Sequence, residues 1–174
     1  TTSTALPAAP QVLALGQWLA NPQVTLKTSL GNIVFELYPN AAPVTAANWL
    51  AHVGTGFYSD LLFHRVIPGF MVQGGGFATG MNYQPPPYAP ISLESNNGLT
   101  HVRGTLAMAR TNDPDSATSQ FFINLVDNSF LNHTSASSPG YAVFGKVVTG
   151  LAVVDAIGAV PTATPTALRD PGFL

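Results

Sequence analysis

One stretch of the chain, FHRVIPGFMVQGGGF from Phe63 to Phe77, concentrates residue types that can do chemistry. Arg65 supplies a cation that stays charged, and Gln73 supplies an amide that both donates and accepts hydrogen bonds. Phe70 and Met71 add bulky apolar surface beside them. Three consecutive glycines follow Gln73, and glycine allows a ligand to approach the backbone closely. Together these residues predict a site for a ligand the size of a peptide.

Three blocks of this sequence resemble, in the same order, the motifs of one protein family. The first is FHRVIPGFMVQGGGF, the second is GTLAMARTNDPDSATSQFFINLVDN from Gly104 to Asn128, and the third is YAVFGKVVTGLAVVDAI from Tyr141 to Ile157. They are similar to the motifs of the cyclophilins, the peptidyl-prolyl cis/trans isomerases. The resemblance implies an enzyme that catalyses rotation about Xaa-Pro peptide bonds and assists protein folding.

The resemblance also implies a role for each residue that matches a family position. Arg65 and Gln73 match the catalytic residues, the arginine aimed at the proline nitrogen and the glutamine at the substrate backbone. Gln120 matches a glutamine that supports the arginine. At Ala109 and Arg110 the family holds the substrate through main-chain groups, so side-chain identity is expected to matter less there. The positions that match substrate-binding residues are Phe70, Met71, Ala109, Arg110, Gln120, Phe122, Phe130, Leu131 and Tyr141.

The chain departs from the common eukaryotic cyclophilin pattern at two positions. Phe130 stands where that pattern has tryptophan, and Tyr141 stands where it has histidine. Phe130 lacks the indole N–H, and in the family this change accompanies weak binding of cyclosporin-type inhibitors. Tyr141 keeps a flat apolar wall with a polar tip, so the proline pocket should survive. Both departures are typical of the bacterial branch of the family.

The aromatic residues alone do not establish a site. Phe70 and Phe122 taken singly are more often core residues, and Phe121 is expected in the core because neighbours in a strand face opposite ways. Arg65 within an apolar run is harder to explain in that way, because an arginine there needs partners or a wet cleft.

Two alternatives to an enzyme remain open. One is a non-catalytic module, a chaperone or scaffold that binds proline-containing segments without useful turnover. Retention of Arg65 disfavours it, since binding alone does not require the cation. The other is a β-barrel that binds a carbohydrate or another ligand, and it predicts no affinity for proline peptides.

Composition excludes several other classes of chemistry. The chain has 174 residues, of which 46% are hydrophobic and 8% are charged, and its net charge is -2. That balance provides no basic surface for nucleic acid, and no apolar run is long enough to span a membrane. There is no cysteine for thiolate catalysis, and the four histidines lack metal-ligand spacing. Asp113 and Asp115 are expected to cap turns. We therefore expect no metal and no cofactor.

Short apolar runs separated by turn residues predict a mainly β domain. The cyclophilin resemblance implies an eight-stranded antiparallel closed β-barrel capped by two α-helices. Residues 1–22 are predicted to form an N-terminal extension and residues 23–174 the isomerase domain. A loop is expected at the proline-rich stretch 81–90. Helices are expected at 41–53 and 151–157, and strands at 24–38 (a hairpin), on both sides of Pro68-Gly69, and at 104–109, 120–126, 141–148 and 162–169.

The expected partners are proline-containing peptides and unfolded proteins, and we expect a monomer. The absence of cysteine fits an oxidising compartment. The sequence begins TTSTALPAAP, without a methionine or a basic-then-apolar leader. A mature protein of a bacterial periplasm, with its signal removed, is therefore favoured over a cytoplasmic protein.

Overall fold

Nine β-strands and two α-helices form the part of the chain that the computed structural model describes, residues 20–162. The strands are β1 (Gln23–Thr28), β2 (Gly31–Leu37), β3 (Arg65–Ile67), β4 (Met71–Gly74), β5 (Phe77–Ala78), β6 (Asn82–Tyr83), β7 (Thr105–Met108), β8 (Phe121–Asn124) and β9 (Val143–Thr149). The helices are α1 (Pro43–Gly54) and α2 (Leu151–Gly158). Neither helix is long and apolar enough to cross a membrane.

Seven of the strands pair into one antiparallel sheet in the order β1-β2-β9-β7-β8-β4-β3, and β5 pairs with β6. This mainly antiparallel β architecture with two helices is the predicted fold class. The predicted strand at 162–169 lies outside the described residues apart from Thr162, so the closure of the barrel stays a prediction. Only residues 20–22 of the predicted N-terminal extension are described, and the domain boundary also stays a prediction.

A tight hairpin joins β1 to β2, as the sequence predicts. Thr28 pairs directly with Gly31, and the Thr28 hydroxyl donates to the Gly31 carbonyl oxygen at 2.7 Å. Gly31 has a φ of +135°, and a Cβ there would lie 2.9 Å from a methyl group of Val153 in α2. Only glycine therefore fits between this turn and the second helix.

The first helix begins at Pro43, whose fixed φ suits the first turn of a helix. The backbone N–H groups of Val44 and Thr45 donate to the Glu94 carboxylate at 3.1 and 2.8 Å, and the Thr45 hydroxyl donates to it at 2.7 Å. The carboxylate satisfies donors that have no partner within the helix, and it complements the positive end of the helix dipole. The predicted helix over 41–53 is confirmed, with a later start.

The larger hydrophobic core joins the sheet to both helices. Trp49 of α1 contacts the rings of Phe35 and Phe121 edge-on, each at a centroid distance of 5.7 Å. Val154 and Ile157 of α2 are buried in the same cluster. Phe121 is 2% exposed, which confirms its predicted position in the core.

Two expectations about segment boundaries need correction. The loop predicted for 81–90 begins later, because Asn82 and Tyr83 form β6 and pair with β5. The strand predicted over 120–126 is shorter, since β8 runs only from Phe121 to Asn124.

His52 lies on the buried face of α1 and is structural rather than solvent-facing. Its Nδ1 lies 2.8 Å from the Asn48 carbonyl oxygen, an acceptor, so Nδ1 carries the proton. Its ring contacts Phe57, Tyr58 and Tyr88, and its Nε2 has no hydrogen-bond partner among residues 20–162. Burial therefore lowers the pKa of His52 from the ordinary value of 6.5.

We expect the free energy of unfolding to decrease as the pH falls below 6.5, because the unfolded chain then binds a proton that buried His52 resists. One such group makes a slope of at most about 1.4 kcal/mol per pH unit. Urea unfolding at several pH values should show a smaller slope for His52→Gln than for the wild type. Ala51→Gly is the matched control, since it weakens the same helix without removing a titratable group. An unchanged slope in His52→Gln would contradict the prediction.

Candidate active site

A row of directly paired residues crosses the sheet at the candidate site. Arg65 of β3 pairs with Gln73 of β4, and Gln73 pairs with Phe122 of β8. Phe122 in turn pairs with Ala107 of β7. Directly opposite residues of an antiparallel pair point to the same face of the sheet. Strand pairing therefore brings the cation and amide of one stretch together with an aromatic ring that lies about 50 residues further along the chain.

A cavity of about 260 Å³ lies at this row. Every predicted site residue lines it except Gln120, which is 3% exposed and reaches the site through Gln73. A larger groove of about 560 Å³ beside β1 contains none of the predicted site residues. The cavity is lined by Arg65, Phe70, Met71, Gln73, Ala109, Arg110, Phe122, Phe130, Leu131 and Tyr141.

Two buried amides hold the exposed cation of the site. The Arg65 Nη1 donates to Gln73 Oε1 at 3.3 Å, and the Gln73 Nε2 donates to Gln120 Oε1 at 2.9 Å. Gln73 is 5% exposed and Gln120 is 3% exposed, whereas Arg65 is exposed. Because buried amides must keep their hydrogen bonds, this row of hydrogen bonds fixes the direction from which the guanidinium is held. The support that the resemblance implies for Gln120 thus acts through Gln73.

The three glycines after Gln73 make room for the protein's own groups. A Cβ on Gly75, which has a φ of +88°, would lie 2.8 Å from the Ser119 carbonyl oxygen. A Cβ on Gly76 would lie 2.7 Å from Cδ of Gln120. The close approach that Gly75 and Gly76 allow is therefore to Ser119 and Gln120, and the predicted approach of a ligand to this backbone stays a prediction.

Aromatic rings form two sides of the cavity. Phe130 stacks on Phe70 with a centroid distance of 5.7 Å and an interplanar angle of 24°, and it is 71% exposed. Phe122 meets Tyr141 edge-on at 5.7 Å. Phe122 is 5% exposed and packs with Met71 in a second, smaller apolar cluster. The smaller cluster is the floor of the cavity, and Phe130 lies at its mouth.

A buried polar network connects the walls of the cavity from behind. The Asn128 amide donates to the Phe70 carbonyl oxygen at 3.0 Å and to Asn124 Oδ1 at 2.7 Å. The Asn124 amide donates to His101 Nδ1 at 3.1 Å, and His101 Nε2 lies 3.1 Å from the Tyr141 carbonyl oxygen. Backbone on opposite sides of the cavity is thus joined through three side chains.

These contacts require neutral His101. Its Nδ1 accepts from an amide, so only its Nε2 carries a proton. The ring is 1% exposed and stacks on Phe122 at 5.7 Å with an interplanar angle of 7°. Burial lowers the pKa of His101 from 6.5, against the opposing effect of its bond to the Tyr141 carbonyl. The imidazole is therefore a neutral support beneath the cavity floor.

His101, Asn124 and Asn128 support the site but are not among the site residues predicted from the sequence. One signal was available, since Asn124 ends an otherwise apolar run, FFIN, and a buried amide in a strand needs partners. His101 offered no comparable signal, because its partners lie 23 and 40 residues away.

The other polar candidates have structural roles. Asp113 Oδ1 accepts from the Asp115 N–H at 3.0 Å, and Asp115 Oδ1 accepts from the Leu93 N–H at 2.8 Å. Asp113 therefore caps a turn, as expected, whereas Asp115 joins its loop to Leu93, 22 residues away in the sequence. Within residues 20–162, no cluster of three histidine, aspartate or glutamate side chains has the geometry to hold a metal ion.

Comparison with known proteins identifies the family. The family model described as cyclophilin type peptidyl-prolyl cis-trans isomerase/CLD matches residues 23–171. A peptidyl-prolyl cis-trans isomerase of Acinetobacter baylyi is 59% identical over 146 residues, which cover 84% of this chain and 77% of that protein. Peptidyl-prolyl cis-trans isomerase B of Escherichia coli is 53% identical over 141 residues, 80% of this chain and 85% of that protein. The chain belongs to the cyclophilin-type peptidyl-prolyl cis-trans isomerase family.

Solved structures agree with this assignment. A cyclophilin type peptidyl-prolyl cis-trans isomerase of Cryptosporidium parvum, in the presence of the dipeptide Ala-Pro, matches with a TM-score of 0.71 at 30% identity. The match covers 82% of this chain and 88% of that chain. The cyclophilin AquaCyp293 of Hirschia baltica matches with a TM-score of 0.64 at 25% identity, covering 78% and 66%. The resemblance inferred from the three sequence blocks is confirmed.

Replacing Gly76 with alanine should disconnect the two amides. The added methyl group would meet the Gln120 side chain, which is flexible and must move away, so its hydrogen bond to Gln73 is lost. We expect the side-chain amide NMR signals of Gln73 and Gln120 to shift, while the Tm falls by no more than about 5 °C. Gly54→Ala is the matched control, because its added carbon meets nothing within 4 Å. Unshifted Gln73 signals in Gly76→Ala would show that the Gln73–Gln120 hydrogen bond does not depend on the absence of a side chain at residue 76.

Proposed function

We propose that this protein catalyses cis/trans rotation about Xaa-Pro bonds in exposed segments of peptides and unfolded proteins. The observation that carries the proposal is the Arg65 guanidinium, held by the buried Gln73 amide at the edge of an apolar cavity. Phe70, Met71 and Phe122 provide the kind of lining that accepts a proline ring. Membership of the isomerase family supports the same reaction.

Rotation about an Xaa-Pro bond breaks no covalent bond, but its barrier is about 18–20 kcal/mol because the C–N bond is partly double. Catalysis requires only that the twisted amide be bound better than either planar form. In the twisted state the proline nitrogen becomes pyramidal and can accept a hydrogen bond. We assign the donor to Arg65, whose guanidinium stays charged and carries its N–H groups in one plane. Such a reaction calls for no metal and no cofactor.

Gln73 orients the Arg65 side chain and leaves most of its N–H donors free. A guanidinium has five N–H donors, and among the residues that the structure describes Arg65 donates one hydrogen bond, to Gln73. The remaining N–H groups are available to a substrate. Because the Gln73 amide already sets the direction of the side chain, little reorganisation is needed when the substrate amide twists. In this proposal Gln73 also contributes to holding the substrate backbone.

The proposal extends to partners and compartment. For proline-containing peptides, support comes from the Cryptosporidium parvum relative, whose structure was determined in the presence of Ala-Pro. We expect weak binding of cyclosporin at most, because Phe130 has no indole N–H. We also propose a monomer located in a bacterial periplasm, where a cysteine-free chain has no stray thiol to oxidise.

A second candidate function is binding without catalysis, as a chaperone or scaffold for proline-containing segments. The observation that favours it is the exposed Phe130 ring, stacked on Phe70 at the mouth of the cavity. Such an apolar shelf would extend the contact with an unfolded chain beyond the proline itself. Binding alone would make no use of the oriented Arg65 cation.

The two functions differ in what Arg65→Ala does to an Ala-Pro peptide. We expect the wild type to speed cis/trans exchange of the peptide, and Arg65→Ala to lose at least tenfold of that rate. A tenfold loss corresponds to about 1.4 kcal/mol of transition-state stabilisation. The measurement is NMR exchange spectroscopy at several enzyme concentrations.

Arg103→Ala is the control for loss of an exposed arginine, because Arg103 pairs with Asp155 and does not line the cavity. It should keep the wild-type rate. If wild type and Arg65→Ala bind the peptide equally and neither speeds exchange, the isomerase proposal is wrong and binding without catalysis replaces it.

A further inference from the structure

Arg110 is held across one wall of the cavity by three hydrogen bonds and a ring contact. Its Nε and Nη2 both donate to the Gly140 carbonyl oxygen, at 3.1 and 2.8 Å, and its Nη1 donates to the Thr111 carbonyl oxygen at 2.8 Å. Its Cζ lies over the Tyr141 ring, 4.6 Å from the ring centroid. This distance is within the range of a cation–π contact. The side chain is therefore part of the wall.

The Tyr141 ring has three neighbours in the wall: Phe122 and His101 meet it edge-on at 5.7 and 6.5 Å, and the Arg110 guanidinium lies over it. The Tyr141 N–H donates to the Leu131 carbonyl oxygen at 3.1 Å, and its own carbonyl accepts from His101. Both bonds hold the backbone, and neither restrains rotation of the ring. The edge-on contact with Phe122 covers part of the ring, and the Arg110 guanidinium covers a face.

The backbone that Arg110 binds is itself well fixed. Gly140 has a φ of +65°, and a Cβ on it would lie 2.6 Å from the Leu131 carbonyl oxygen and from the His133 nitrogen. The chain at Gly140 is thus packed directly against the segment that carries Leu131. By binding the Gly140 carbonyl, Arg110 joins the end of β7 to the segment carrying two cavity residues, Leu131 and Tyr141.

We propose that Arg110 is a positioning residue, which holds the Tyr141 ring as one wall of the proline-binding cavity by covering its face and binding the Gly140 carbonyl. The inference rests on the proposed isomerase function and assigns the substrate-binding role of this position to the arginine side chain. Arginine suits it because two N–H groups of one planar fork converge on a single carbonyl while Cζ lies over the ring. A lysine ammonium can supply the charge but not this geometry.

The proposal predicts a selective effect on substrate binding. A wall of the cavity contacts the proline ring in the planar and twisted states alike, so its loss weakens both to a similar degree. We expect Arg110→Ala to raise the peptide Kd by about fivefold or more and to leave the exchange rate at saturation within about twofold. Arg110→Lys should recover part of the affinity, because the ammonium retains a cation over the ring.

The decisive experiment is a double-mutant cycle that combines Arg110→Ala with Tyr141→Ala. Peptide Kd and saturated exchange rate are measured by NMR for the wild type, both single variants and the double variant, all in the full chain. If Arg110 acts through Tyr141, the peptide Kd of the double variant should differ from that of Tyr141→Ala by less than about twofold. Arg103→Ala, which removes another partly exposed arginine outside the cavity, is the matched control and should keep the wild-type Kd.

Each outcome decides between distinct conclusions. A full fivefold loss in the Tyr141→Ala background would show that Arg110 contacts the substrate directly and would overturn the positioning role. An unchanged Kd in Arg110→Ala, with an active wild type, would also overturn it while the isomerase function stands. An inactive wild type would instead refute the proposed function.

A readout independent of activity covers the case in which Arg110→Ala folds poorly. In the peptide-free protein, the Tyr141 ring NMR signals should shift in Arg110→Lys and remain in place in Arg103→Ala. Unchanged Tyr141 signals in Arg110→Lys, with unchanged peptide Kd, would overturn the proposal without the alanine variant.

Discussion

The orientation of one exposed cation, Arg65, depends on two buried amides. Gln73 accepts a hydrogen bond from the guanidinium and donates one to Gln120, and both amides are buried. Gln120 can occupy its place only because Gly76 has no side chain. An exposed arginine on its own would sample many rotamers, and the bond to Gln73 reduces that freedom. Gly76 therefore supports the site although it does not line the cavity.

One short strand serves stability and function at the same time. Phe121 and Phe122 are neighbours in β8, and the pleat of the strand sends them to opposite faces. Phe121 packs against Trp49 in the main core, and Phe122 forms the cavity floor. A shift of one residue in the register of β8 would exchange the two roles, so the pairing that stabilises the sheet also builds the site.

Residues from several stretches of the chain line the cavity, and polar contacts as well as apolar packing join them. Neutral His101 and the amides behind the cavity connect the Phe70 and Tyr141 backbones, and Arg110 connects β7 to Gly140. Hydrogen bonds are directional and apolar contacts are not, so these few bonds decide the shape of a pocket whose lining is mainly apolar. His101 thus holds the Tyr141 backbone from behind the cavity, and Arg110 holds the neighbouring Gly140 backbone at the cavity wall.

The sequence by itself determined the mainly β class and both helices, because strand and helix periodicity are written in neighbouring residues. Its three motif blocks resemble one family, and that resemblance supplied the antiparallel architecture and the residues of the cavity lining. The period of the strand placed Phe121 and Phe122 on opposite faces, and the resemblance assigned Phe122 to the site. Only the tertiary structure decided how those residues are held: Glu94 caps α1 from 49 residues away, His101 reaches Tyr141 across 40, and Arg110 reaches Gly140 across 30. Such contacts join groups that no local pattern relates, because chain folding, and not spacing along the chain, brings a donor to its acceptor.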